Sequence, residues 1–512
     1  MVINGIGREI PEEIEGIGKL RPYKGAFKTI PVGNKMAPKI TLKKRGETKV
    51  INSLKEAVKK AGIRDGMTIS FHHHLRNGDY VVAMVLDLLA DLGIKNLTIA
   101  PTALFPVHKS IIKHIKNGVV TAIQGSVNGP IGAMSSQGIF NTPVVLRSHG
   151  GRARAIEAGD LPIDIAFIAA PSADIYGNLN GVDGPSACGS LGYVMPDARY
   201  ADKVIAITDN LVDYPLLPIS IPQIYVDYIV KVDKIGDPKG IISGTLEITR
   251  NPLRLVIAER VSQVIEASGL FKNGFSFQTG AGGIALAVAK YIGKEMEKRR
   301  IKGSFGCGGI TGYFVQMLEK NLFKALFDVQ SFDLEAVRSL KANSKHLEIS
   351  SSFYANPHNK GCAVNNLDAV VLGATQIDTD FNVNVNTESD GVLLHGIGGH
   401  MDTAAGAKLT IIATPLLRGR MPIVVDKVIT ITTPGETVDV LVTERGIAVN
   451  PARKDLIAIL KKAKLPIKDI QDLKKEAYNL TGIPEEPQFT DKIIGLVEYR
   501  DGTIIDVIRG VK

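Results

Sequence analysis

Between Asn382 and Ala407 the chain reads NVNVNTESDGVLLHGIGGHMDTAAGA, and these residue types suit the transfer of an acyl group between carboxylates. Val383 and Val385 alternate with asparagines at the period of a strand, and Thr387-Glu388-Ser389-Asp390-Gly391 supplies a turn that sets the Glu388 carboxylate at the strand's edge. Next comes Gly396-Ile397-Gly398-Gly399-His400, with Asp402 and Thr403 as caps for a helix through the alanine-rich run that follows. Glycines ahead of a helix let backbone N–H groups approach a ligand and stabilise developing negative charge. The same residues also read as a sharp turn feeding a helix, with Glu388 a solvated turn residue, and a glycine cluster alone does not separate the two.

Two further clusters carry positive or titratable groups. His72, His73, His74 and Arg76 close one strand-like run and lead into a helix, and Arg147, His149 and Arg152 surround Gly150-Gly151. Consecutive side chains on a strand point to opposite faces, so three adjacent histidines do not converge on one ion without a sharp bend, and no metal site is expected. They read either as donors to a ligand or as satisfied structural histidines. Cys188 has no histidine partner readable nearby, which makes it a buried structural thiol. Cys307 and Cys362 are equally isolated, and three widely spaced cysteines support neither a disulfide framework nor a metal knuckle.

The elements that must hold these groups alternate between helix and strand. Residues 53–61 form an amphipathic helix in which Ser53 and Glu56 make a capping box. A turn at Asp65-Gly66, a strand to Phe71, a helix over 80–92 and a strand over 94–100 make a parallel βαβ unit. Short strands are expected at 119–123 and 144–146, a helix at 152–158, and continuous apolar strands of the doubly buried kind at 164–169 and 203–208. After a turn-rich joint at 236–240 the order repeats: a helix near 254–268, Asn273-Gly274, a short strand, Gly280-Ala281-Gly282-Gly283, and another helix. A second echo aligns IDIAFIAAPSADIYGNLNG with LDAVVLGATQIDTDFNVNV, matching Asp164, Asp174, Asn178 and Asn180 to Asp368, Asp378, Asn382 and Asn384. Two echoes at nearly one spacing indicate a duplicated unit. Strands over 409–413 and 438–442, a helix over 454–462 and a hairpin turning at Arg500-Asp501-Gly502 complete the chain.

At 512 residues the chain exceeds one ordinary core, and two large α/β domains fit best: an N-terminal arm over 1–48, a first domain over 49–240 and a second over 241–512. Composition, 45% hydrophobic and 22% charged, is that of a globular protein. Apolar runs are far shorter than the roughly 20 residues a membrane span needs, and the N-terminus lacks the pattern of a secretory signal, so the expectation is no membrane and a cytoplasmic location. The net charge of +9 is dispersed over helix faces, with no tryptophan to interleave, which disfavours nucleic acid and favours anionic ligands.

With the elements placed, the sequence resembles the coenzyme A transferase superfamily and, within it, the citrate lyase alpha-chain family. Segments 71–79, 126–132, 147–152, 396–402 and 442–451 carry the likeness. The resemblance implies two tandem, similar open α/β domains of coenzyme A transferase type with the active site between them. It implies a citrate CoA-transferase, the transferase subunit of citrate lyase, that exchanges the acetyl group on an acyl carrier protein for citrate, giving citryl carrier and acetate. No tightly bound cofactor is expected in the chain; the acetyl thioester sits on CoA or on the phosphoribosyl-dephospho-CoA group of the carrier. Implied partners are the citrate lyase beta subunit and the acyl carrier (gamma) subunit, in an oligomer.

On that resemblance the site residues take roles. Gly398 and Gly399 supply amides to the thioester carbonyl, with Gly280, Gly282, Gly283 and Gly396 lining the carrier arm. His72, His73, His74, Arg76, Arg147, His149 and Arg152 bind the acid's carboxylates, because a three-carboxylate substrate needs several cationic donors. Ser126, Asn128 and His400 add neutral donors. Transferases that form a glutamyl thioester carry a glutamate where Glu388 stands, whereas the citrate lyase group works by direct attack of citrate. The direct route is expected, with Glu388 orienting or polarising. The rival readings are an ordinary CoA-transferase using Glu388 covalently, and a non-catalytic effector-binding domain.

Overall fold

The structure, a computed structural model, describes residues 1–72, 74–242, 247–280 and 282–512; His73, one of the three consecutive histidines, lies outside the described residues. Apolar β-branched runs dictate its two sheets. In the first, β1 (Val50–Ile51), β2 (Thr68–Phe71), β3 (Leu97–Pro101), β4 (Val120–Ile123), β5 (Ile165–Ala169), β6 (Lys203–Thr208) and β7 (Tyr228–Lys231) lie in the order β1-β7-β6-β5-β2-β3-β4. All its pairings are parallel. β5 is buried at every residue, as a strand covered on both faces must be.

The second sheet contains β8 (Phe277–Thr279), β9 (Gly303–Ile310), β10 (Phe323–Ser331), β11 (His346–Glu348), β12 (Ala369–Leu372), β13 (Leu409–Ala413), β14 (Val440–Val442) and β15 (Ile447–Val449), in the order β11-β10-β9-β8-β12-β13-β14-β15. Only the edge pair β14–β15 is antiparallel.

The duplication holds to single hydrogen bonds. The carboxylate of Asp164 accepts from Thr68 N–H at 2.7 Å, and that of Asp368 accepts from Ser276 N–H at 2.9 Å, each tying the start of one strand to its neighbour. After β5, Asp174 accepts from the amides of Tyr176, Gly177 and Asn178. After β12, Asp378 accepts from those of Asp380 and Asn382. Asn180 and Asn384 likewise each hold two following amides.

The two halves are not separated by one cut. The C-terminal hairpin, Phe489–Glu498 with Ile504–Val511, which the sequence places with the second domain, pairs in parallel with Val144–Arg147 of the first. The first core takes in Ile494, Val497, Tyr499, Ile505 and Ile508, and with them Leu393, Ile397 and Met401. The loop carrying the 396–399 glycines is therefore anchored in the opposite half's core. The N-terminal arm lies along the same hairpin, with Tyr23 N–H on Ile504 O at 3.0 Å and Asn4 Nδ2 on Ile505 O at 2.8 Å.

Candidate active site

Three helices bring the chemistry together: α1 (His149–Ala158), α2 (Gly283–Arg299) and α3 (His400–Gly406). Gly398 adopts φ +63°, the left-handed conformation that favours glycine. Its carbonyl accepts from His149 N–H at 2.9 Å, at the start of α1. The neighbouring Gly396 N–H donates to Asn128 Oδ1 at 3.1 Å, while Asn128 Nδ2 is held by Leu104 O at 2.7 Å. Gly396 thus spends its amide on tying the loop to Asn128, not on a ligand. Among the described residues the amides of Gly398 and Gly399 donate to nothing. Side chains would not fit: a Cβ on Gly396 would stand 2.2 Å from Ser126 Oγ, and one on Gly399 2.8 Å from Tyr354 Oη. Ser126, predicted as a ligand donor, walls the loop.

The second glycine loop is adjacent. Tyr354 Oη, beside Gly399, accepts from Gln278 Nε2 at 2.8 Å, two residues before Gly280. His400 Nε2 donates to Gly373 O at 2.9 Å, and Nδ1 faces Thr433 Oγ1 at 2.7 Å. With both ring nitrogens engaged, and burial lowering its pKa to about 4, His400 is a neutral structural histidine and offers no donor to substrate. Gly373 in turn lines a groove of about 750 Å³ with Gly280, Gly282, Gly283, Arg254, Arg418 and Arg445. Gly280 N–H is bonded to Val371 O at 3.2 Å, whereas those of Gly282 and Gly283, at the start of the 17-residue α2, find no acceptor among the described residues.

Among the described cationic candidates, Arg76 keeps buried nitrogens with no hydrogen-bond partner. It sits at φ +51°, a strained conformation for a long side chain. Its guanidinium lies 5.4 Å from the ring of Phe105 and 4.8 Å from that of Phe332. Nε and Nη1 are buried without a hydrogen-bond partner, and burial lowers its pKa from the usual value. Tyr193 lies beside the glycine loop, its ring 4.2 Å from that of His149. Burial and the charge of Arg152 hold His149 down to about 3, so its imidazole is neutral at pH 7.

The other predicted anion binders hold the fold. Arg147 pairs with Glu498 at 3.0 Å and Gln124 at 2.9 Å. Arg152 grips Asp197 with two bonds of 2.7 Å and Ala100 O with one of 2.6 Å. His72 Nε2 accepts from Ala169 N–H at 2.7 Å, and its ring stacks on that of His74 at 3.7 Å. Each is a buried group with partners inside the protein: those of Arg152 and His72 lie in the first half, and Arg147 pairs with Glu498 of the C-terminal hairpin, none of which spacing in the sequence discloses.

Glu388 occupies the turn expected of it. Its N–H bonds Val392 O at 2.9 Å and its carbonyl takes Gly391 N–H at 3.0 Å, with Thr387 bridged to Leu393. The side chain is exposed, and among the described residues no hydrogen bond or ion pair joins its carboxylate to either glycine loop. Asp402 corrects an expectation: it does not cap α3 but reaches across to α1, accepting from Ser148 Oγ and from Gly150 N–H, both at 2.8 Å. Tyr354, Gln278 and Tyr193 carried no local signal, since nothing around them in the chain marks their approach to Gly399 and Arg76. Among the described residues no group of three or more His, Cys, Asp or Glu is arranged to hold a metal ion, and no helix is long and apolar enough to cross a membrane.

Two matched open α/β halves meeting at the glycine loop define a protein of coenzyme A transferase type. A Pseudomonas malonate decarboxylase hetero-tetramer in complex with malonate shares the fold, with a TM-score of 0.63 at 17% identity over 85% of this chain and 84% of that one. The profile of the family described as citrate lyase, alpha subunit, matches residues 47–511. The citrate lyase alpha chain of Haemophilus influenzae is 50% identical over 91% of this chain and 93% of the relative, and that of Klebsiella pneumoniae 51% over 91% and 92%. A crystal structure of the alpha subunit of citrate lyase from Streptococcus mutans in complex with citrate superposes with a TM-score of 0.96 at 50% identity, covering 99% of this chain and all of that one. The chain belongs to the citrate lyase alpha-subunit family.

Proposed function

We propose that the protein exchanges the acetyl group of a carrier thioester for citrate, releasing acetate. The observation that carries this reading is the pair of amides at Gly398 and Gly399 that find no acceptor among the described residues. A carboxylate is a poor nucleophile toward a thioester, because the carbonyl oxygen must take on charge and the product is a reactive anhydride. Two preorganised N–H donors address the first difficulty at about 3 kcal/mol each. A site walled by Tyr193 from the first half and by Tyr354 with loop 396–399 from the second addresses the other difficulty by excluding water.

In the direct route a citrate carboxylate oxygen bonds to the acetyl carbon and the C–S bond breaks, leaving thiolate and a mixed anhydride. The thiolate then attacks the citryl carbonyl, the C–O bond breaks, and acetate departs. Arg76 holds a citrate carboxylate, and neutral His149 orients it without adding charge. The groove with Gly282, Gly283, Arg254, Arg418 and Arg445 takes the phosphorylated carrier arm, whose anionic groups suit a helix N-terminus and three guanidinium groups. The exposed turn around Glu388 favours this route over a glutamyl thioester. The partners in this reading are an acyl carrier subunit and a lyase subunit that cleaves the citryl thioester, and the setting is the cytoplasm.

The purified chain is incubated with acetyl-CoA and citrate, and acetate and citryl-CoA are followed. Formation of both supports the reading; citrate binding without exchange would establish an effector-binding protein. Borohydride trapping during turnover, with Glu388 recovered as an alcohol by mass spectrometry, would replace the direct route by the covalent one.

A further inference from the structure

We propose that Asp402 is a positioning residue that fixes the amide of Gly399 for catalysis by locking the loop of one half onto helix α1 of the other. The inference rests on the acyl-exchange reading above and concerns how its amide donors are aimed. A trans peptide is planar, with its C=O and N–H pointing in opposite directions. The C=O of Gly398 is engaged by His149 N–H at 2.9 Å, so the N–H of Gly399, in the same peptide, is turned away from α1. If that bond is lost, the peptide at a left-handed glycine is free to rotate, and the donor is lost with it.

What holds His149 N–H in place is Asp402. The residues on both sides of His149 are bound to its carboxylate, Ser148 through Oγ and Gly150 through N–H, each at 2.8 Å. Ser148 Oγ also accepts from Gly151 N–H at 3.0 Å, so the first turn of α1 is one connected network. Asp402 is fully buried, and Arg500 of the C-terminal hairpin backs it, with Nη1 on Asp402 O at 3.2 Å and Nη2 on Ala355 O at 3.1 Å. Asp402 lies three residues after Gly399, so α3 transmits this grip directly to the peptide. A carboxylate is needed because it accepts from both donors at once, whereas an amide of the same shape presents one acceptor and one donor.

The test is Asp402→Asn in the full-length chain, with Ser148→Ala as a second variant that removes one of the two bonds should the first not fold. Acetyl–citrate exchange is measured with acetyl-CoA, along with the carbonyl stretch of bound 13C-labelled acetyl-CoA by isotope-edited infrared spectroscopy. In the wild type, donors on the thioester oxygen shift the stretch to lower frequency than in solution. In the variants kcat falls at least tenfold, toward the ~10²-fold that losing one oxyanion donor costs. KM for citrate stays within about twofold and the stretch returns toward its solution value. Unchanged kcat and stretch in a folded variant overturn the assignment, as does a variant whose only change is a lower Tm. Absence of exchange by the wild type would instead defeat the underlying functional reading.

Discussion

Replacing Arg76 with Met separates substrate binding from folding. Nε and Nη1 are buried and unpaired between two aromatic rings, so the unliganded protein keeps a cation whose desolvation no protein acceptor offsets. A carboxylate arriving there makes two charge-assisted hydrogen bonds, each worth roughly 1.5–3 kcal/mol. Removing them costs about 3–6 kcal/mol of binding, a ~10²- to 10⁴-fold rise in the Kd for citrate. The stability of the unliganded protein moves the other way: Met fills the space without a charge, so the Tm stays level or rises. The assay is citrate titration by acetate release, paired with thermal denaturation with and without citrate. Ligand at 100 times Kd stabilises by about 2.7 kcal/mol, so saturating citrate raises the wild-type Tm, and the same concentration leaves Arg76→Met unmoved. An unchanged KM for citrate in the variant, or a Tm that falls without citrate while KM holds, refutes the assignment.

Gly396→Ala places a methyl group 2.2 Å from Ser126 Oγ, and exchange and Tm are both expected to fall; adding Ser126→Gly should restore part of each, read as a double-mutant coupling. Glu348 is raised to about 7 by burial, above its usual 4.5, so the folded state binds more protons than the unfolded one between these values and stability falls as pH rises through that window. Glu348→Gln should therefore raise the Tm at pH 8 and leave it little changed at pH 4.5. His72 and His400, held near 4 against an ordinary 6.5, act in the opposite sense: their contribution is present above pH 6.5 and lost as pH falls toward 4. His400→Gln should flatten the fall in Tm between pH 6.5 and 5 by about one proton's worth.

Much of the architecture was legible in the chain because its signals are local. The period-2 alternation, the apolar run over 165–169, the Ser53 cap and the Arg500-Asp501-Gly502 turn each depend on residues a few positions apart, and each appears in the structure. The duplication was legible because Asp174 and Asp378 repeat the same short-range bonds to their own turns. The glycine loop was legible too, since Gly398 takes a positive φ, and a side chain at Gly396 or Gly399 would collide with Ser126 or Tyr354.

Which charged residues remain available was decided elsewhere. Arg76, Arg147 and Arg152 look alike in sequence, but Glu498 and Asp197 neutralise two of them, and Glu498 lies 351 residues from Arg147. The return of the C-terminal hairpin to Val144–Arg147 likewise buries apolar surface that either half would otherwise expose, a long-range choice that no local pattern encodes. The sequence by itself determined the strands, the repeat and the flexible glycines, because those follow from backbone geometry over a few residues. Only the tertiary structure decided which amides and which guanidinium stay unpaired, because pairing depends on partners brought close by packing across the whole chain.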